Sequence, residues 1–121
     1  NFMEEEIYQM MVATTEDQDE LILENTTTLK VARWWNRACD IIPCNGGKDI
    51  GIQKILDYFN FNKEEAMAFG DGGNDISMLK YVGTGVAMGN AKNNVKAIAD
   101  YITDSVQEDG IVSALKHFEI I

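Results

Sequence analysis

Apolar residues in the second half of the chain follow two rhythms. Ile52, Ile55, Leu56 and Phe59 recur at i, i+3, i+4 and i+7, the stripe of an amphipathic helix. Short apolar runs at Ala66 to Phe69, Gly85 to Met88 and Tyr101 to Thr103 read as strands. Between and after them lie helical stretches: Asn74 to Tyr81 with Ile76 and Leu79 on one face, Ala91 to Ala99 with Val95 and Ile98, and Glu108 to Phe118. Strands separated by helices predict right-handed βαβ units, a parallel sheet and an α/β fold. The first part reads differently. Ile7 to Thr15 is extended, and a polar helix follows over Glu16 to Asn25 with Thr15 as N-cap. Two β-type runs, Leu29 to Trp35 and Ala38 to Ile42, are joined tightly through Asn36-Arg37. This predicts an α+β piece with one solvated sheet face. Pro43 and Asn45-Gly46-Gly47 mark the change of character, so the expected division is 1–44 and 45–121.

Charge narrows the function classes. The 121 residues include 20 acidic and 10 basic side chains, a formal net charge of −10. That argues against a partner held by phosphate charge over a broad surface, such as nucleic acid or an anionic membrane. No Lys or Arg precedes Lys30, and the acidic N-terminal segment is most simply a solvated face. There is no apolar run of about 18 residues and no charged start leading into an apolar core, so neither a membrane span nor a signal peptide is expected. Cys39 and Cys44 fit no common zinc spacing and read as two part-buried thiols in a reducing, cytoplasmic setting. Met10, Met11, Met67, Met78 and Met88 read as core fillers, His117 as a residue near the surface, and one of Trp34 and Trp35 as core. The first residue is Asn1 rather than methionine, which suits a processed product or a fragment.

The stretch richest in chemistry is Phe69-Gly70-Asp71-Gly72-Gly73-Asn74-Asp75-Ile76. It joins a strand's C-terminal end to a helix's N-terminus, where open α/β sheets bind ligands. The glycines allow a sharp turn with exposed N–H groups. Two nearby carboxylates, Asp71 and Asp75, repel unless a divalent cation lies by them, and magnesium favours one or two carboxylates, waters and a phosphate oxygen. The helix start adds partial positive charge for a phosphate. Asn74 can either cap the helix or reach a ligand, and Asp75 too can serve as a cap. The calcium-loop spacing fails, because the twelfth position from Asp71 is Val82. Gly46-Gly47-Lys48-Asp49 lacks the upstream glycine and following Ser/Thr of a Walker loop, but Lys48 at that junction can meet a phosphate as a point charge.

The order of these pieces resembles the C-terminal part of a haloacid dehalogenase superfamily phosphatase of the Cof type. Gly47-Lys48 opens a helix ending at Phe59-Asn60-Phe61, and a strand then leads into Gly70-Asp71-Gly72-Gly73-Asn74-Asp75. Gly85-Val86-Ala87-Met88-Gly89-Asn90-Ala91, Ala99-Asp100-Tyr101-Ile102-Thr103 and Glu108-Asp109-Gly110-Ile111 follow. The resemblance is close over Asn45 to Phe118. Residues 1–44 are more loosely similar to the end of the family's α/β cap domain. It implies a Rossmann-like core and magnesium-dependent hydrolysis of a phosphate monoester, a sugar phosphate or related small metabolite, through an aspartyl-phosphate. Lys48 would steady nucleophile and phosphoryl group, and Asp71 would bind Mg2+. Asp75 would bind it directly or hold its water, and Asn74 would hydrogen-bond the phosphoryl group or a neighbouring ligand.

The family's nucleophile motif, Asp-x-Asp-Gly-Thr, is absent. Asp17-Gln18-Asp19 has the spacing, but Glu20-Leu21 follows. The chain alone is therefore expected to be inactive. Without the nucleophile strand, Ala66 to Phe69 has an open edge, which predicts a second copy or a separate N-terminal half as partner. The alternative is a non-catalytic remnant or interaction module that keeps a metal or phosphate site.

Overall fold

A computed structural model describes residues 6–121, and the chain divides into two compact units, the second beginning at Lys48. In the first unit, β1 (Met10–Val12), β2 (Leu29–Trp35) and β3 (Ala38–Pro43) form an antiparallel sheet in the order β1-β3-β2. Between β1 and β2 lie a 3-10 turn (Glu16–Gln18) and a one-turn helix, α1 (Asp19–Leu23). Thr15 is the turn's N-cap, and its N–H donates to Gln18 Oε1 at 3.3 Å. Central β3 carries the buried residues Ala38, Cys39 and Ile41. Arg33 on β2 pairs with Asp19 and donates to the Thr14 carbonyl at 2.8 Å, which ties α1 to the sheet. The register shifts between Arg33 and Trp35, leaving Trp34 part-buried and Trp35 exposed.

Two expectations for this unit are corrected. Met10 and Met11 are exposed, because β1 is only three residues long and covers little. The two thiols also differ: Cys39 is buried on the central strand, whereas Cys44 lies beyond it and is exposed. Burial pushes the Cys39 thiol up, against a downward pull from the Arg33 guanidinium. Ellman's reagent is therefore expected to titrate one thiol of the native chain quickly and the second only on unfolding. Equal rates for both would contradict this packing.

The second unit alternates helix and strand. It runs α2 (Lys48–Phe59), β4 (Met67–Gly70), α3 (Ile76–Tyr81), β5 (Thr84–Ala87), α4 (Asn93–Lys96), β6 (Tyr101–Ile102) and α5 (Gly110–His117). The strands form a parallel sheet in the order β4-β5-β6, with Met67 opposite Thr84 and Val86 opposite Tyr101. The core joins Ala68, Leu79, Val82, Ala87, Ala91 and Val95, with Ile52 and Ile76 packed against it. The α2 stripe divides: Ile52 and Leu56 are part-buried, while Ile55 and Phe59 are exposed. Asn60, at φ 58°, ends this helix. Its N–H reaches the Asp57 carbonyl, and the Phe61 N–H reaches that of Leu56, the paired bonds of a left-handed helix stop. His117 is exposed and stacks on Tyr101 with ring centroids 4.2 Å apart. Among the described residues, no helix is long and apolar enough to cross a membrane.

Gly51 sits inside α2 with nothing within 4 Å of where a Cβ would stand. Gly51→Ala is therefore expected to stabilise the chain by about 0.5–1 kcal/mol, because alanine has less backbone freedom to lose. A raised urea midpoint at unchanged slope would show it.

Candidate active site

The second unit brings Lys48, Asp71 and Asp75 to the C-terminal end of β4. The strand stops at Gly70, and a 3-10 turn over Gly73–Asp75 feeds α3. Asp75 is the hub. Its side chain turns back beneath the loop and is buried, and Oδ2 accepts the N–H groups of Asp71 and Gly72 at 3.0 Å each. Oδ1 accepts from the Lys48 ammonium at the start of α2. A Cβ at Gly70 would stand 2.6 Å from the Asp75 Cβ, so only glycine lets the strand end fold over this carboxylate. Burial pushes the Asp75 carboxyl up. The Lys48 ammonium and the two N–H groups more than offset that, so it sits below its ordinary value and is ionised at neutral pH.

Asp71 is arranged differently. It is exposed, and Oδ2 accepts from Asn90 Nδ2 at 2.9 Å. The Lys48 side chain is half-exposed, and its ammonium meets Asp75. Asn74 lies inside the 3-10 turn rather than at its cap, which is Gly72, and its Oδ1 stands over the Gly72 backbone. Lys48 and Asp75 are thus in direct contact, Asp71 joins them through its backbone, and Asn74 lies within the same loop. Asn90 is a participant to which the sequence reading gave no role. The signal was present in Met88-Gly89-Asn90-Ala91, an amide beside a glycine just after a strand.

The donor set suits a hard cation. An exposed carboxylate at a strand end, with a lysine and loop N–H groups close by, matches the few protein oxygens, waters and phosphate that magnesium takes. Among the described residues, no third His, Cys, Asp or Glu joins Asp71 and Asp75. Such a site would complete its coordination with water and a substrate phosphate oxygen.

The sequence model of the haloacid dehalogenase-like hydrolases matches residues 1–115. The chain is 40% identical over 116 residues to the Bacillus subtilis protein YkrA, covering 96% of this chain and 45% of that one. It is 43% identical over 89 residues to the B. subtilis 5-amino-6-(5-phospho-D-ribitylamino)uracil phosphatase YitU, covering 71% of this chain and 33% of that protein. The solved structure of BT4131, a subclass IIB sugar phosphatase, superposes with a TM-score of 0.90 at 45% identity, over 97% of this chain and 45% of the other. The chain spans less than half the length of each of these proteins.

Proposed function

Because the chain belongs to the haloacid dehalogenase-like hydrolases, we propose that it carries the metal and lysine side of a magnesium-dependent phosphomonoesterase for sugar phosphates or related small metabolites. The observation that carries this reading is the single loop in which buried Asp75 holds Lys48 on one oxygen and the Asp71–Gly72 backbone on the other. Asp71 offers its carboxylate to Mg2+, and Asp75 supports it from behind by fixing the loop. A bound magnesium ion would neutralise phosphoryl charge at this end of the sheet. Lys48 keeps the orientation given by Asp75 and adds a positive charge where the phosphoryl oxygens gather. Asn74 supplies an amide to the same group.

The nucleophile motif does not occur in these 121 residues, so they supply positioning and charge, and the attacking carboxylate comes from the enzyme's N-terminal half. That half would pair with β4, which among the described residues has a strand on one side only. It would also cover exposed Ile55 and Phe59. On this reading residues 1–44 are the end of a cap domain. Free thiols at Cys39 and Cys44 suit a cytoplasmic setting.

The test is p-nitrophenyl phosphate turnover. The purified chain is expected to show none, whereas the chain combined with a segment bearing Asp-x-Asp-Gly-Thr is expected to turn over until EDTA removes the metal. Turnover indifferent to EDTA would sink the magnesium reading. Turnover by the chain alone, lost in Asp71→Ala, would sink the missing-nucleophile reading. The missing motif also favours a second reading, a non-catalytic module that keeps the site. Mg2+ binding without turnover in any combination would establish it.

A further inference from the structure

We infer that Asn90 is a positioning residue for Asp71, a strut that holds one carboxylate oxygen so that the other faces the metal. The inference rests on Asp71 being the ligand proposed above. Asn90 Nδ2 donates to Asp71 Oδ2 at 2.9 Å, and Asn90 Oδ1 accepts the Val106 N–H at 3.1 Å. The two partners fix the amide's orientation, since a carboxylate needs a donor and an N–H needs an acceptor. Val106 opens the 3-10 turn Val106–Glu108, and its N–H is one of those a helix start leaves unpaired. One side chain therefore satisfies that orphan donor and restrains Asp71 together.

The backbone under Asn90 is itself held. The Gly89 N–H donates to the Asp104 carbonyl at 2.9 Å, Lys96 Nζ donates to the Gly89 carbonyl at 2.5 Å, and Ala91 is buried. Asp71 is exposed, and a lone exposed carboxylate would otherwise rotate freely. Among the described residues, its other oxygen takes no protein hydrogen bond. An amide also suits the position chemically. It donates to the carboxylate without adding positive charge, whereas a lysine there would compete with a divalent ion. Outer partners of this kind orient ligands and set metal affinity.

Val106 gives a way to separate this role from simple packing. The residue is exposed at the first position of its turn, and Ser105 before it is extended at φ −70°, ψ 166°. Proline is tolerated at such a position; it removes the N–H and otherwise exchanges only an exposed side chain. The experiment is calorimetric titration of Mn2+ into the full chain, with circular dichroism confirming the fold of each variant. Asp71→Ala is expected to abolish binding, and Asn90→Ala to weaken it about tenfold. Val106→Pro, which touches neither Asp71 nor the ion, is expected to weaken it in the same direction. The double variant should bind no more weakly than Asn90→Ala alone. Unchanged affinity in Asn90→Ala, with binding still lost in Asp71→Ala, overturns the strut and leaves the metal reading standing. Additive losses in the double variant also overturn it. No uptake by the parent chain, or equal uptake by Asp71→Ala, overturns the metal reading and the strut with it. Should Asn90→Ala fail to fold, the Val106→Pro arm decides alone: lowered affinity supports the strut and unchanged affinity overturns it.

Discussion

Gly110→Ala is expected to cost the folded chain about 3 kcal/mol or more, the upper range for overpacking a closed site. Gly110 opens α5 where the loop after β6 passes across the helix start. A Cβ there would stand inside the contact radius of the Asp104 carbonyl oxygen, 2.7 Å from its carbon and 3.0 Å from Met88 Cε. The methionine can move, but the Asp104 carbonyl is backbone. Its segment is also fastened to Gly110 itself, through the Thr103 hydroxyl donating to the Gly110 carbonyl at 2.6 Å and the Gly110 N–H donating to Ser105 at 3.0 Å. Separating the two segments breaks both bonds and bares the buried Thr103. A large fall in the urea midpoint would bear this out, and an unchanged midpoint would mean that the loop has room the structure does not show.

Asp75→Asn is the second large effect, expected at about 2–3 kcal/mol near neutral pH. The carboxylate holds one ammonium and two backbone N–H groups. An amide has one acceptor oxygen for those three donors, and its NH2 must face one of them. Lys48 is half-exposed, so water solvates part of the stranded charge, and the cost stays below that of a fully buried pair. The loss should depend on pH. The folded carboxyl lies below its ordinary value, so its charge stabilises the fold fully above the unfolded value of about 4. That stabilisation drains away as pH falls through the lower folded value. The gap between parent and variant in urea midpoints should therefore narrow below pH of about 4. A gap that stays constant on acidification would show that the carboxylate's charge is not what holds the loop.

Local pattern carried most of the architecture. The β-type run Leu29 to Trp35 is β2 residue for residue, and α2 ends at Phe59, in the Phe59-Asn60-Phe61 stretch where the resemblance put its end. Periodicity says which residues share a stripe, not what covers it: of the four, Ile52 and Leu56 are part-buried while Ile55 and Phe59 stand exposed. The helix expected over Ala91 to Ala99 shrinks to Asn93–Lys96, because its capping comes from Lys92 and the segment ends on a turn before β6. At the site, residue types and spacing singled out the loop as a candidate. They could not show that Asp75 is buried and triply bonded while Asp71 is exposed, since both are aspartates four residues apart. Asn90 escaped for a related reason: its partners, Asp71 and Val106, are distant along the chain and meet only once the sheet has formed.

The strand order of the second unit bears on how the protein is made. β5 settles beside β4 and β6 beside β5, always on the same growing side and each only one helix behind its partner. A polypeptide leaving the ribosome can thus lay down each new strand against one already in place, with only short loops to close. Translation itself would set the order of assembly, and α5 with its tight glycine junction would be fitted only after β6 is in place.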